Sequence, residues 1–211
     1  MRLLIATSNP GKLRDFAGAA TGPCVEVLAL PGFAALPGII EDAPAFEGNA
    51  RKKAEHYSRF APGEIVVADD SGLEADPLGG KPGVHSARYA DYAAGVVDLS
   101  SAGNTHDADN NARLLRDLDD VADERRTARF VCVLAAARDG RTLATFRGEA
   151  AGVILRAPRG SGGFGYDPLF FLPAIGKTFA ELSAEEKARY SHRGAAFRKL
   201  LEWCRTALPQ H

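Results

Sequence analysis

Leu3-Leu4-Ile5-Ala6-Thr7-Ser8-Asn9-Pro10-Gly11-Lys12 is the stretch that decides the fold. Its apolar run ends in polar residues and shows no alternation, as expected of a short strand buried on both faces. Asn9 then offers an N-cap, and Pro10 suits the first helical position. A helix is expected from there to about Ala20. A strand that turns directly into a helix opens an α/β fold.

Outward from that stretch, a second short strand is expected over 25–28, followed by a Pro/Gly-rich connection over 31–44. Apolar residues at 46, 50, 54 and 57 mark one face of a helix. Glu64 to Ala68 reads as another buried strand, with Asp69-Asp70-Ser71-Gly72 at its end. A long irregular stretch from Leu73 to about Asp107 follows, and Ala112, Leu115 and Leu118 suggest the next helix. Arg129–Ala137 and Thr142–Leu155 flank Asp139-Gly140, a strong hairpin signal. A Gly-rich loop spans Gly160 to Asp167, and Ser183-x-x-Glu186 is a capping box. Phe197, Leu200, Leu201, Cys204 and Leu208 give an amphipathic C-terminal helix. The class is α/β, with a mixed, twisted sheet flanked by helices.

The 211 residues suit one domain, 1–211, and the 45% apolar content supplies an ordinary core. A net charge of −1 excludes a global basic field, so neither nucleic acid nor a membrane surface is an expected partner. Cys24, Cys132 and Cys204 lie far apart beside apolar neighbours and lack metal or redox spacing, which fits buried thiols in a reducing cytoplasm. No window is long and apolar enough to span a membrane.

Four polar clusters carry the chemistry. Thr7 to Lys12 places a helix N-terminus beside a lysine, an anion site suited to phosphate. Lys12 is followed by Leu13 and the first glycine is missing, so this is not a Walker A loop. Asp69 and Asp70 point to opposite faces of an extended chain. One can face Mg²⁺ or a water, while the other is expected to cap a turn. In the third cluster, Phe164 and Tyr166 offer flat faces within Gly160–Pro168 for a base to stack on. The fourth joins Lys187 to Ser191-His192-Arg193-Gly194, where His192 and Arg193 supply donors to an oxygen-rich ligand. Together they describe a phosphate chain, a divalent metal and a flat heterocycle.

These motifs, with Phe46 and Asn49-Ala50, Gly79-Gly80-x-Pro82-Gly83, Ser86-Ala87-Arg88-Tyr89 and Gly176-Lys177-Thr178, resemble the inosine triphosphate pyrophosphatase family from about residue 3 to 204. The resemblance implies two lobes around a central substrate cleft, a Mg²⁺ requirement, a homodimer, and hydrolysis of dITP, ITP and XTP to monophosphate and pyrophosphate. It assigns Thr7, Ser8, Asn9, Pro10, Gly11 and Lys12 to the triphosphate, and Asp70 to acid–base catalysis and metal binding. Ser71, Phe164, Gly165, Tyr166, Asp167, Lys187, His192 and Arg193 become substrate contacts, and Glu41 a second acidic residue near the metal. Two positions depart from the family pattern: Gly48 stands where Glu is usual before Asn49, and Ala43-Pro44 follows Glu41-Asp42. The reading from another class is a purine-nucleotide-binding regulator without turnover, and a neighbouring type of enzyme would be a pyrophosphatase for modified pyrimidine triphosphates. The paired aspartates favour an enzyme, because a pure binder gains nothing from carboxylates beside a triphosphate unless metal bridges them.

Overall fold

The computed structural model describes residues 1–19, 25–93 and 105–207. Its strands are β1 (Arg2–Ile5), β2 (Glu26–Ala29), β3 (Ile65–Ala75), β4 (Thr127–Arg138), β5 (Arg141–Ile154), β6 (Phe170–Leu172) and β7 (Lys177–Thr178). They form one sheet in the order β2-β1-β3-β4-β5-β6-β7. β1 runs parallel to β2 and β3, and every later pairing is antiparallel. The helices are α1 (Pro10–Ala19), α2 (Phe46–Ser58), α3 (Tyr89–Ala93), α4 (Asp107–Asp117), α5 (Ala184–Tyr190) and α6 (His192–Ala207). The mixed α/β class read from the sequence is the class observed.

The hairpin forms where expected, with Asp139 and Gly140 at φ 50° and 80° between β4 and β5. Both residues of that turn are left-handed, as the twist of the flanking strands requires. Ser183 caps α5 by accepting from the Glu186 N–H at 3.1 Å, and Glu186 answers to the Ser183 N–H at 2.8 Å. Three expectations need correction. Leu73–Ala75 belong to β3, and a 3-10 segment (Gly83–Arg88) and α3 occupy part of the stretch expected to be irregular. The core positions are Leu114 within α4 and Leu118 just past its end, while Ala112 is exposed. Ala20, Cys24 and Leu208 lie outside the described residues.

Strand alternation sorts the core. Ile65 and Val67 of β3 pack with Leu3, Ile5, Cys132, Leu134, Phe16, Phe197 and Leu200 on one face. Val66 and Ala68 pack with Leu4, Phe46, Ala54 and Tyr57 on the other. Further along the first face, Leu73 and Ala75 join a second apolar cluster with Leu114, Phe130, Phe170 and Phe179. Asp69 and Ser71 therefore sit between two apolar cores on one face of β3, with Asp70 and Gly72 on the opposite face.

Arg126 ties the far end together. Only 2% exposed, it donates from Nε to Ile154 O (2.8 Å), from Nη1 to Leu118 O (2.5 Å) and from Nη2 to Leu155 O (3.2 Å). The end of α4 is thereby pinned to the end of β5. Arg126→Met keeps the length and strands three carbonyls, each costing about 1–3 kcal/mol if left unpaired. A loss of about 3 kcal/mol corresponds to a Tm fall of roughly 6–12 °C in a chain of this size. A melting scan showing a fall under about 2 °C would mean water replaces the guanidinium there.

Candidate active site

β1 stops pairing with β3 at Ile5–Val67 and the chain turns into α1, while β3 continues alone against β4. Asp69, Asp70 and Ser71 lie in that continuation, opposite Leu134, Val133 and Cys132. The expectation that Asp69–Gly72 terminates the strand is therefore corrected. Four turn-forming residues are carried in extended conformation by the long β4 partner, whose pairing overrides local propensity. Relative to β1, the two aspartates still stand beyond a strand's carboxyl end, where α/β sheets bind ligands. Gly72 is required by contact rather than by φ: a Cβ there would lie 2.6 Å from Gly83 O.

On one face, Asp69 Oδ2 takes an ion pair from Lys12 Nζ at 2.8 Å and a hydrogen bond from Ser71 Oγ at 3.1 Å. Burial alone would raise this carboxyl, but Lys12, Lys53 and Arg193 carry it down to about 2. Asp69 caps no turn; it holds the lysine. The end of α1 also differs from expectation. Gly11 and Lys12 give their N–H groups to Asn9 Oδ1 at 2.8 and 3.1 Å, and Thr7 Oγ1 accepts from the Asn9 N–H at 3.1 Å. Those two donors are spent on the cap, so attraction for an anion there rests on Lys12 and the helix dipole. Ser8 and Pro10 are exposed beside them.

On the other face, Asp70 Oδ2 accepts from Asn49 Nδ2 at 3.0 Å, and Asp70 Oδ1 lies 3.8 Å from Lys53 Nζ. Lys53 Nζ also donates to Glu41 Oε2 at 2.7 Å. Burial raises the Asp70 carboxyl, Lys53 and Asn49 pull it down, Glu41 adds to the rise, and the balance is upward. Burial pulls Lys53 down, yet Asp70, Glu41 and Asp69 together lift it above the ordinary lysine value. Asn49 Oδ1 accepts from the Ala43 N–H at 2.9 Å, so one amide fixes both Asp70 and the strap that carries Glu41. The two departures from the family pattern meet here, because a Cβ on Gly48 would lie 2.6 Å from the Ala43 Cβ. Sequence reading missed Lys53. Its signal was the four-residue spacing from Asn49, which puts both on one face of α2.

The loop over 160–167 closes onto α1. Phe164 lies so near that a Cβ on Gly11 would meet its Cε1 at 2.9 Å. Arg193 Cζ stands 4.9 Å and Lys187 Nζ 5.4 Å from the Phe164 ring centroid. Asp167 Oδ2 anchors the loop, accepting from the Phe164 N–H at 3.0 Å and from Lys187 Nζ at 2.7 Å. Gly165 is tied to α4 through Asp107 Oδ2 (2.6 Å) and Asn111 Nδ2 (3.0 Å). Tyr166 is no stacking face: it is buried in the second core cluster and donates to Ser86 O at 2.8 Å. Arg193 donates from Nη2 to Ser71 Oγ (2.9 Å) and from Nη1 to Asp15 Oδ2 (3.4 Å), and its buried Nε has no partner among the described residues.

His192 also departs from expectation. Instead of turning out as an accessible donor, its ring stacks on Phe130 at 4.7 Å and lies 6.0 Å from Phe179. Among the described residues neither ring nitrogen has a partner. Burial, with the charges of Arg193, Lys187 and Lys12, holds its pKa well below 6.5. The unfolded chain binds a proton at this histidine as pH falls through about 6.5, and the folded chain does so only far lower. Acid therefore favours unfolding, and His192 should remove about 1.4 kcal/mol of stability per pH unit below about 6.5. Urea melts from pH 7 to 5 should give a flatter profile for His192→Gln, and equal slopes would assign the effect elsewhere.

Hard carboxylate oxygens from Asp70 and Glu41, converging on a position now shared with the Lys53 ammonium, form a donor set that suits Mg²⁺. That ion prefers oxygen and keeps several waters and phosphate ligands, so two carboxylates suffice. Among the described residues there is no group of three or more His, Cys, Asp or Glu placed to hold a metal.

An open mixed sheet with paired carboxylates on one strand and lysines on both its faces defines an α/β protein built for a polyanionic ligand. The chain belongs to the Ham1 family, whose model matches residues 3–203. It is 51% identical over 201 residues to the dITP/XTP pyrophosphatase of Acidobacterium capsulatum, covering 95% of this chain and 97% of that one. It is 50% identical over 200 residues to the dITP/XTP pyrophosphatase of Geobacillus kaustophilus, covering 95% and 92%. The solved structure of the Staphylococcus aureus Ham1 protein superposes with a TM-score of 0.79 at 35% identity, covering 99% of this chain and all of that one. No helix among the described residues is long and apolar enough to cross a membrane.

Proposed function

We propose that this protein hydrolyses the non-canonical purine triphosphates dITP, ITP and XTP to monophosphate and pyrophosphate, with Mg²⁺ as cofactor. The observation that carries the reading is β3, which presents Asp69 with Lys12 on one face and Asp70 with Asn49 and Lys53 on the other. Family membership and the names of the relatives agree with it.

A triphosphate brings about four negative charges, which Lys12 and Lys53 offset from two sides. Asp70 and Glu41 would hold Mg²⁺, which when bound offsets phosphate charge and polarises the phosphorus. Asp70 orients a water and takes its proton as the oxygen bonds to the α-phosphorus and the bridging oxygen departs with pyrophosphate. The Asn49 amide holds that carboxylate in place. Phe164 packs against the base, and Arg193 reads its edge. We place this reaction between two lobes of a single domain, in a homodimer and in the cytoplasm. The resemblance supports the dimer, and the buried, unpaired Cys132 and Cys204 fit a reducing setting.

The test is a panel of dITP, ITP, XTP, ATP, GTP and a modified pyrimidine triphosphate, with and without MgCl₂, assayed for pyrophosphate and for phosphate separately. Pyrophosphate from dITP, ITP and XTP, abolished by EDTA, is expected. Release of phosphate alone, or no turnover, would overturn the reading.

A further inference from the structure

Lys12 and Asp15 are three residues apart on α1, and both are tied into one closed ring of side chains. Lys12 Nζ meets Asp69 Oδ2 at 2.8 Å, Ser71 Oγ donates to the same Asp69 oxygen at 3.1 Å, and Arg193 Nη2 donates to Ser71 Oγ at 2.9 Å. Arg193 Nη1 closes the ring on Asp15 Oδ2 at 3.4 Å. The ring joins α1, β3 and α6, with the phosphate-facing lysine at one side and the arginine over Phe164 at the other.

The hydroxyl proton of Ser71 decides how the ring works. A serine hydroxyl has one proton and two lone pairs, and an arginine can only donate. If Ser71 is to accept from Arg193, its proton must be taken by another group, and Asp69 is the group that takes it. We propose that Asp69 is a positioning residue for both ends of the site. It holds the Lys12 ammonium ready for the phosphate chain and, by claiming the Ser71 proton, turns the Ser71 lone pairs toward Arg193, which fixes the guanidinium against Phe164. The assignment rests on the functional reading above and extends it, because it makes base selection depend on a carboxylate that need not touch the base.

Asp69→Asn keeps the shape and removes the charge that holds both partners. Binding is measured by calorimetry in EDTA with three probes: ITP, ATP and inorganic tripolyphosphate. This requires no turnover, so a wild-type protein that binds ITP but hydrolyses nothing defeats the functional reading and still tests Asp69. Asp69→Asn should weaken tripolyphosphate about tenfold and also narrow the ITP-to-ATP affinity ratio about tenfold, each the size of one charge-assisted hydrogen bond. Ser71→Ala should narrow that ratio by a similar factor while leaving tripolyphosphate affinity within about twofold of wild type. The double variant should show no further narrowing beyond Ser71→Ala, since both changes break one path. A structural defect at Asp69 would weaken all three probes equally. Equal weakening, an unchanged ratio in Asp69→Asn, narrowing that multiplies in the double variant, or a wild type that does not prefer ITP would each overturn the proposal. Should Asp69→Asn fail to fold, the Ser71→Ala pattern decides alone, and an unchanged ratio there is equally fatal.

Discussion

Asp70→Asn should cut kcat for dITP by about 10²–10⁴-fold at saturating Mg²⁺, the span expected for loss of a positioned acid–base group. The variant should still fold. Asp70 is buried and its carboxyl is raised, so its charge is a burden on the native state that a neutral amide relieves. The amide oxygen can still accept from Asn49 Nδ2 in place of Asp70 Oδ2. What disappears is the charge facing Lys53 Nζ at 3.8 Å, together with the proposed base for the water and one of two carboxylates suited to the metal. KM for the triphosphate should move far less than kcat, because Lys12 stands on the other face of β3 and keeps its own partner. A variant retaining more than about a tenth of wild-type kcat would place the catalytic base elsewhere. A melting point within a few degrees of wild type separates that result from simple unfolding.

Strand and helix order, the hairpin and the family were legible because they rest on periodicity, capping and contiguous motifs. Asp139-Gly140 and Ser183-x-x-Glu186 each carry their own instruction locally, and the structure follows both. The extent of β3 was not legible. Asp69-Asp70-Ser71-Gly72 reads as the end of the strand, and pairing along β4, about 60 residues away in sequence, keeps it extended. Tyr166 and His192 were misjudged for a related reason. Residue type gives a polar tip, but whether the ring meets a base or a core depends on Ser86, Phe130 and Phe179, brought in by other segments. Lys53 was passed over because a lysine beside an apolar helix face ordinarily points to water. Here Asp70 and Glu41 turn it inward, and neither is near it in sequence.

Arg193→Ala should narrow the ratio of kcat/KM for ITP over ATP by about ten- to a hundredfold, the equivalent of about 1–3 kcal/mol for a charged donor whose partner is matched or mismatched. Two of its donor nitrogens are engaged, Nη2 with Ser71 Oγ at 2.9 Å and Nη1 with Asp15 Oδ2 at 3.4 Å. Nε is buried without a partner among the described residues, and Cζ stands over the ring of Phe164. An arginine cannot accept a hydrogen bond, so on the proposed reading its guanidinium would be matched by the 6-oxo group of hypoxanthine or xanthine and mismatched by the 6-amino group of adenine. Removing the side chain abolishes both the reward and the penalty. ITP should therefore lose most of its advantage while ATP hydrolysis changes little. The comparison must use kcat/KM, because competing substrates are sorted by that ratio. If both substrates fall by one common factor, Arg193 serves the phosphates or the packing of Phe164, and base reading passes to the backbone of the 164–167 loop.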